Sequence, residues 1–336
     1  MMTISSPLPY PEFGALKEVG DGIIWLSIPL PLDLKHVNCW LIEEGGGVTV
    51  VDCGPDTGDC LDIWNKLIKN DLLPAQPSRL VITHGHGDHC GISGWLASRF
   101  DVPIYSTLSE WQSARLRHHV GVDALLERGF MEGHGVPAGL ADASCRLRAV
   151  NSKLMGPQPA AIRRLRDGDE IAMGGRSWRV IAGGGHTDEH ACFYDPANGI
   201  LIAGDQVLPE ITPLIAVYGD QSEANPLADY LATLSRLREL PENVLVLPSH
   251  GRPFTGLHVR IEQLIAHHER RLDELRVALD RPRTGFELSA VLFPKAYDTH
   301  SAWLALAETI AHLNFLISRG EARYLDGSRN RVVAAG

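Results

Sequence analysis

Three histidines and an aspartate fall within six positions at His84-Gly85-His86-Gly87-Asp88-His89, directly after the apolar run Leu80-Val81-Ile82. Imidazoles and a carboxylate converging at one place are what zinc or a similar divalent ion requires. The apolar run reads as a buried strand, and the glycines after it as the loop at that strand's end. His84 and His86 stand two apart, so an extended segment points both to one side. Asp88 and His89 follow at a turn and can face the same hollow from another angle.

Three later apolar runs each lead into one further ligand-type residue. Val180-Ile181 leads into Gly183-Gly184-Gly185 and His186, Leu201-Ile202-Ala203 into Gly204-Asp205, and Leu245-Val246-Leu247 into Pro248-Ser249-His250. Strand ends are rigid points from which to aim ligands, and glycine allows close approach. The set His84, His86, Asp88, His89, His186, Asp205 and His250 exceeds what one tetrahedral ion uses, so two divalent ions are expected. The natural division puts His84, His86 and His186 on one, Asp88, His89 and His250 on the other, with Asp205 bridging. Zinc is the default, and iron or manganese also suits a mixed His/Asp set.

The elements that must position these residues follow from the pattern. Ile23–Ile28, Val37–Ile42 and Val48–Asp52 read as strands in hairpins around Gly45-Gly46-Gly47. Leu61–Leu73 reads as a helix ended by Pro74. Strand Leu80–Ile82, helix Ile92–Phe100 and strand Val102–Tyr105 continue in an α/β layered order. From Leu108 to about Arg166 no strand is apparent; a helical insertion over the sheet edge, a lid beside the site, is expected. Strands return at Glu170–Ala172, Trp178–Ile181, Ala191–Tyr194, Ile200–Ala203 and Val244–Leu247, with helices at Pro226–Leu240 and Leu257–Leu279. Beyond Arg281 come two helices and two short strands, Ala322–Leu325 and Arg331–Val333, a winged-helix pattern.

In this order the histidine loop, the Gly-His, the Gly-Asp and the Ser-His resemble the metallo-β-lactamase superfamily of hydrolases, from about Gly20 to Ala278. The resemblance implies an α/β fold, a four-layer αββα sandwich of two mixed sheets with helices outside and metals at one edge. The domain would span 20–280, with its helical insertion at about 108–166, followed by a winged-helix-like domain at 281–336. The aspartate-containing loop and acidic bridge look like the glyoxalase II, lactonase and RNA-processing branches. The C-terminal segment resembles the extension of the β-lactamase-like-protein-2 type, a subgroup with thioesterases acting on carrier-bound acyl chains and an endoribonuclease. This chain departs from the pattern after His89, where Gly91-Ile92 stands for a glycine pair, and after His186, where Thr187-Asp188-Glu189-His190 stands where many relatives have glycine. The basic residues that hold glutathione in glyoxalase II find no match.

The implied activity is hydrolysis of a small-molecule thioester, ester or lactone by metal-bound hydroxide. Asp88 is expected to handle a proton as well as ligate. Tyr218, in the loop after Asp205, is expected to donate a hydrogen bond to the developing oxyanion, as a tyrosine does in the lactonase branch. His36 and Asn38 are read as lining the mouth. A metal-dependent endoribonuclease is the alternative, and an inactive metal-binding regulatory protein the third reading. His190 reads as supporting or core, Cys90 as a small buried wall residue, and His118, His119, His134, His267 and His268 as solvated or core histidines.

Length and charge set the outer bounds. A chain of 336 residues buries a large core. Its net charge of −10 argues against general affinity for nucleic acid or anionic membrane. Arg319, Arg323, Arg329 and Arg331 of the wing are read as a solvated face or a homodimer contact before nucleic-acid binding. The expected partner is therefore a small-molecule acyl substrate, with no membrane. Six scattered cysteines form no disulfide or zinc framework. With no signal peptide or spanning run apparent, the expected location is the cytoplasm.

Overall fold

The computed structural model describes residues 3–32, 34–296, 301–325 and 330–335. Arg329 of the wing lies outside them. The first sheet has seven strands in sequence order: β1 Leu16–Gly20, β2 Ile23–Pro29, β3 His36–Glu44, β4 Gly47–Val51, β5 Pro77–Val81, β6 Ile104–Ser106 and β7 Arg163–Arg164. β1–β4 are antiparallel; from β4 onward the pairs are parallel. Parallel pairing needs crossovers. α1 Gly58–Lys69 links β4 to β5; α2 Gly87–Cys90 and α3 Ser93–Phe100 link β5 to β6. α4 Leu108–His119, α5 Ala124–Gly133, α6 Ala138–Asn151 and a 3-10 turn Ser152–Leu154 link β6 to β7. The second sheet runs in the order β12-β11-β10-β9-β8, built from β8 Glu170–Met173, β9 Arg176–Gly183, β10 His190–Asp195, β11 Ile200–Gly204 and β12 Leu245–Pro248. β12 lies parallel to β11 after the crossover α7 Pro226–Leu237.

The strands alternate between two apolar faces, and that alternation makes the layers. In β3, Trp40 and Ile42 face the other sheet, while Cys39 and Leu41 face the α1/α3 layer. In β10, Ala191 and Phe193 point inward, while Cys192 and Tyr194 point to the helices beyond. A one-residue slip would exchange both sets, so the register is pinned. Between the sheets Trp25, Trp40, Trp178 and Phe193 are at most 1% exposed; burying a side chain the size of Phe193 contributes roughly 1.5–3 kcal/mol. α1 shows how the outer layers attach. Thr57 caps it by accepting from Cys60 N, and Cys60, Trp64 and Leu67 form its buried stripe.

The chain then adds α8 Leu257–Ala278, α9 Gly285–Leu292 and α10 Ala302–Ser318, with β13 Ala322–Tyr324 paired antiparallel to β14 Val332–Ala334. A capping box between Thr284 and Glu287 starts α9. Leu288, Leu306, Ile310 and Leu316 join the same apolar cluster as α7 and α8. The C-terminal segment is thus a helical unit continuous with the outer layer of the second sheet. Among the described residues no helix is long and apolar enough to cross a membrane.

Two strands depart from the sequence expectation. β1 precedes the first strand read from the sequence, Ile23–Ile28; it is a half-exposed edge strand with weak alternation. β7 falls inside the stretch read as strandless, because it is two exposed arginines with no apolar signal. The helix expected to run to Leu73 ends at Lys69, where Asn70 caps it and Asp71 turns to φ +51°.

Glycines let the insertion sit down on the histidine loop. A Cβ on Gly85 would lie 2.5 Å from the carbonyl oxygen of Glu110 in α4, and one on Gly91 would collide with the Leu154 carbonyl and with Asp56 N. Only a residue without a side chain permits backbone so close.

Candidate metal centre

The strand ends converge as the sequence implies. His84 Nε2 and His186 Nε2 each stand 3.0 Å from His86 Nδ1. One ligand atom each from Asp88, His89 and His250 forms a second group, all within 4.8 Å of one another. Asp205 lies between the two. Its Oδ2 is 3.4 Å from His186 Nε2, 3.4 Å from His250 Nε2 and 3.6 Å from His89 Nε2. All seven expected ligands thus meet at one edge of the two sheets.

The remote nitrogen is held in four of the five rings, His84, His89, His186 and His250, which decides what the near nitrogen can do. His186 Nδ1 donates to Leu214 O at 2.9 Å, and His250 Nδ1 donates to His36 O at 2.7 Å. Nε2 is then the nitrogen that both rings turn inward. Asp52 accepts from His89 Nδ1 at 2.9 Å and from the Thr83 hydroxyl at 2.7 Å. The Thr83 oxygen, its proton committed to Asp52, accepts from His84 Nδ1 at 3.0 Å. One buried carboxylate thereby sets two imidazole tautomers, the arrangement usual behind metal-ligating histidines.

Electrostatics give the same requirement. Burial alone would lift the Asp88 and Asp205 carboxyls, but the facing His89 and His250 outweigh it and hold both well below the usual carboxylate range. Burial likewise pulls His250 down, yet Asp205 and Asp88 raise it to about 10. His84 is driven well below 6.5 by burial and by neighbouring His89. The carboxylates call for positive charge at a point ringed by imidazole nitrogens, where protons on His89 and His250 compete with a cation. His89 Nε2, His250 Nε2 and Asp205 Oδ1 are buried and make no hydrogen bond among the described residues. Orphaned buried polar atoms of this kind are costly, and divalent cations satisfy all of them, so the residues fit the expected metals.

Homology bears this out. The profile of the family described as "Metallo-beta-lactamase superfamily" matches residues 32–250, and that of "Metallo-beta-lactamase-like, C-terminal domain" matches 272–332. The chain belongs to the metallo-β-lactamase superfamily. A crystal structure of a beta-lactamase domain protein from Burkholderia ambifaria is 35% identical, with a TM-score of 0.83 over 98% of each chain. A metallo-beta-lactamase family protein from Thermus thermophilus is 30% identical, with a TM-score of 0.81 over 94% of this chain and all of that one. Among curated proteins, "Probable metallo-hydrolase YqjP" of Bacillus subtilis is 25% identical over 301 residues, 88% of this chain and 92% of its own. "Acyl-coenzyme A thioesterase MBLAC2" of Homo sapiens is 28% identical over 259 residues, covering 72% and 83%. Family and side-chain set together describe a metallo-hydrolase.

In this metallo-β-lactamase fold the centre opens into a cleft of about 550 Å³, bounded by His86, Asp88 and His186 on one side and by the insertion on the other. The insertion thus forms one wall of the cleft. Tyr218 lines it too, with the Arg148 guanidinium 4.2 Å above its ring and Trp303 beside it. Burial raises the Tyr218 hydroxyl above 10, which keeps it a hydrogen-bond donor at neutral pH.

Asn38 and His36 do not line the mouth. Asn38 is fully buried, accepting from Trp25 Nε1 and donating to Pro248 O and Gly251 O. Its amide braces the strand end that carries His250. His36 holds His250 through its carbonyl, and its own Nε2 accepts from Gly251 N at 3.1 Å. Position at the start of a strand is a poor guide to exposure when the next sheet packs on that end. His190 is supporting, as expected, with its Nε2 accepting from Asp205 N at 3.1 Å. Cys90 is buried in the apolar cluster beneath α1 and α3.

Two supporting residues escaped the sequence reading. Asp52 follows the apolar Val50-Val51, the same strand-then-ligand signature as Asp205, and could have been found by it. Glu110, 1% exposed, accepts from Gly85 N at 2.7 Å and Glu189 N at 2.8 Å, and so ties the insertion to both ligand loops. It sits in a helix far from any motif and carries no such signature.

Proposed function

We propose that the protein is a binuclear-metal hydrolase of an acyl thioester, with esters and lactones as related substrates. His84, His86 and His186 would hold one ion, Asp88, His89 and His250 the other, and Asp205 both; zinc suits this donor set best, with iron or manganese as alternatives. Divalent ions bound there lower the pKa of water to roughly 7 and polarise a carbonyl oxygen. Asp88 faces the His89 and His250 rings at 3.5 Å and borders the cleft; its carboxylate takes the proton released during attack. The Tyr218 hydroxyl donates to the carbonyl oxygen as charge develops on it.

The observation that carries the acyl substrate is the lip of the cleft. Leu116, Val120 and Leu126 all line it and are 57%, 65% and 45% exposed. Large apolar side chains gathered at a pocket mouth, facing polar catalytic groups, fit an acyl chain. The thioesterase name of the human relative agrees. We read the C-terminal unit, residues 281–336, as a winged-helix-like domain on a hydrolase domain of 20–280, packed as a structural partner. Arg319 there is paired through Nε with Glu321 at 2.7 Å.

The test is a hydrolysis screen of the metal-loaded protein against acyl thioesters of graded chain length, lactones, phosphodiesters and single-stranded RNA. Each methylene buried on the lip is worth about 0.8 kcal/mol. kcat/KM should therefore climb by up to about fourfold per methylene until the lip is covered, with little dependence on salt. Tyr218→Phe should lower kcat by about 10–100-fold with KM nearly unchanged. Chain-length indifference, or RNA cleavage falling steeply with ionic strength, would sink the acyl reading.

A further inference from the structure

A second set of ligand-type side chains lies outside the catalytic centre. His267 and His268 on α8 and Glu308 on α10 bring one ligand atom each within 4.8 Å of one another. Hydrogen bonding fixes the state of the deepest of them. His312 Nδ1 donates to Glu308 O at 2.8 Å, one helical turn back, so its Nε2 carries a lone pair. His268 Nδ1 stands 3.1 Å from that lone pair and must donate to it. His268 Nε2 is then a bare lone pair on a fully buried ring, and it finds no hydrogen-bond partner among the described residues. His267 Nε2, beside it, is also buried without a partner among the described residues. A chain of backbone carbonyl, histidine and histidine that ends in an inward lone pair is the support a metal ligand ordinarily has.

We propose that His267, His268 and Glu308 form a further divalent-cation site, of zinc type, that staples α8 to α10. Two imidazoles and one carboxylate make a borderline donor set that favours zinc over magnesium or calcium. The histidines are ready to ligate, because burial lowers His268 to about 2 and His312 to about 4, so both are neutral. The same burial lifts Glu308 to about 7, partly offset by Arg271, so a proton is the competing occupant. Arg271 is already engaged with Glu274 at 2.9 Å and Leu292 O at 2.8 Å. The site joins a helix that leaves the catalytic sandwich to one within the matched C-terminal domain, so its role is to hold the two stretches together.

The experiment counts ions. The full chain is stripped with a chelator, reloaded with excess zinc, desalted and analysed for metal per chain. Glu308→Gln and His267→Gln, both at partly exposed positions, should each carry one ion fewer than wild type. The same loss should appear in a background whose catalytic centre is emptied by His86→Ala with Asp205→Asn, where one ion remains and Glu308→Gln removes it. Equal metal content in wild type, Glu308→Gln and His267→Gln overturns the site whatever the total. An emptied background that holds no zinc overturns it too, independently of what the catalytic centre binds.

Discussion

Asp205→Asn should lower kcat/KM for the best acyl substrate by on the order of a thousandfold while leaving the fold intact. The side chain keeps its shape, and the backbone Asp205 N still donates to His190 Nε2, so the loop after β11 has no reason to move. What disappears is the negative charge at a position that reaches both halves of the centre, 3.4 Å from His186 Nε2 and 3.4 Å from His250 Nε2. An amide is a weak ligand, and its NH₂ would face lone pairs that need a cation. Metal-centred charge stabilisation is worth several kcal/mol, and each 1.36 kcal/mol is tenfold in rate; a thousandfold loss corresponds to about 4 kcal/mol. Metal analysis should show at least one ion fewer per chain, and circular dichroism an unchanged spectrum. Near-wild-type turnover with both ions retained would remove Asp205 from the bridging role.

The sequence showed the ligands because each follows an apolar strand and needs a glycine or a tight turn beside it, a local signature that survives in one dimension. The apolar runs carried an α/β layered order, and the four-layer sandwich came from the family resemblance. Apolar runs such as Cys39-Trp40-Leu41-Ile42 mark strands buried on both faces, and both faces are indeed covered. What could not be read is what depends on partners distant in the chain. Asn38 looks like any polar residue near a strand start until Pro248 and Gly251 arrive to bond it. β7 is two exposed arginines and exists only because β6 offers a free edge. His268, expected to be an ordinary core or solvated histidine, acquires its directed lone pair from His312, 44 residues on. Local chemistry leaves a local trace, whereas the groups that orient it are chosen by topology.

Asp52→Asn tests that orienting layer, and it should cost roughly 10–100-fold in metal affinity with little change in thermal stability. Asp52 is 2% exposed at the end of β4, in a left-handed conformation (φ +56°) that asparagine also tolerates. Its carboxylate accepts three hydrogen bonds: from Thr83 N at 2.9 Å, the Thr83 hydroxyl at 2.7 Å and His89 Nδ1 at 2.9 Å. Asparagine keeps Oδ1 for Thr83 N but presents a donor on the side where the other two donors converge. The Thr83 hydroxyl can rotate to accept; His89 Nδ1 must give up its proton to do so. That proton then sits on Nε2, the atom aimed at the centre, and His89 can no longer ligate. The Thr83 oxygen, now accepting from the introduced amide, also becomes a poorer acceptor for His84 Nδ1. Asp52→Ala differs in kind, since it strands the buried Thr83 N–H and hydroxyl at about 1–3 kcal/mol each. The alanine variant should therefore melt lower, and the asparagine variant should not. Zinc affinity by chelator competition, measured beside the two melting temperatures, separates the cases. If Asp52→Asn binds zinc as tightly as wild type, the tautomer of His89 is set by something other than Asp52.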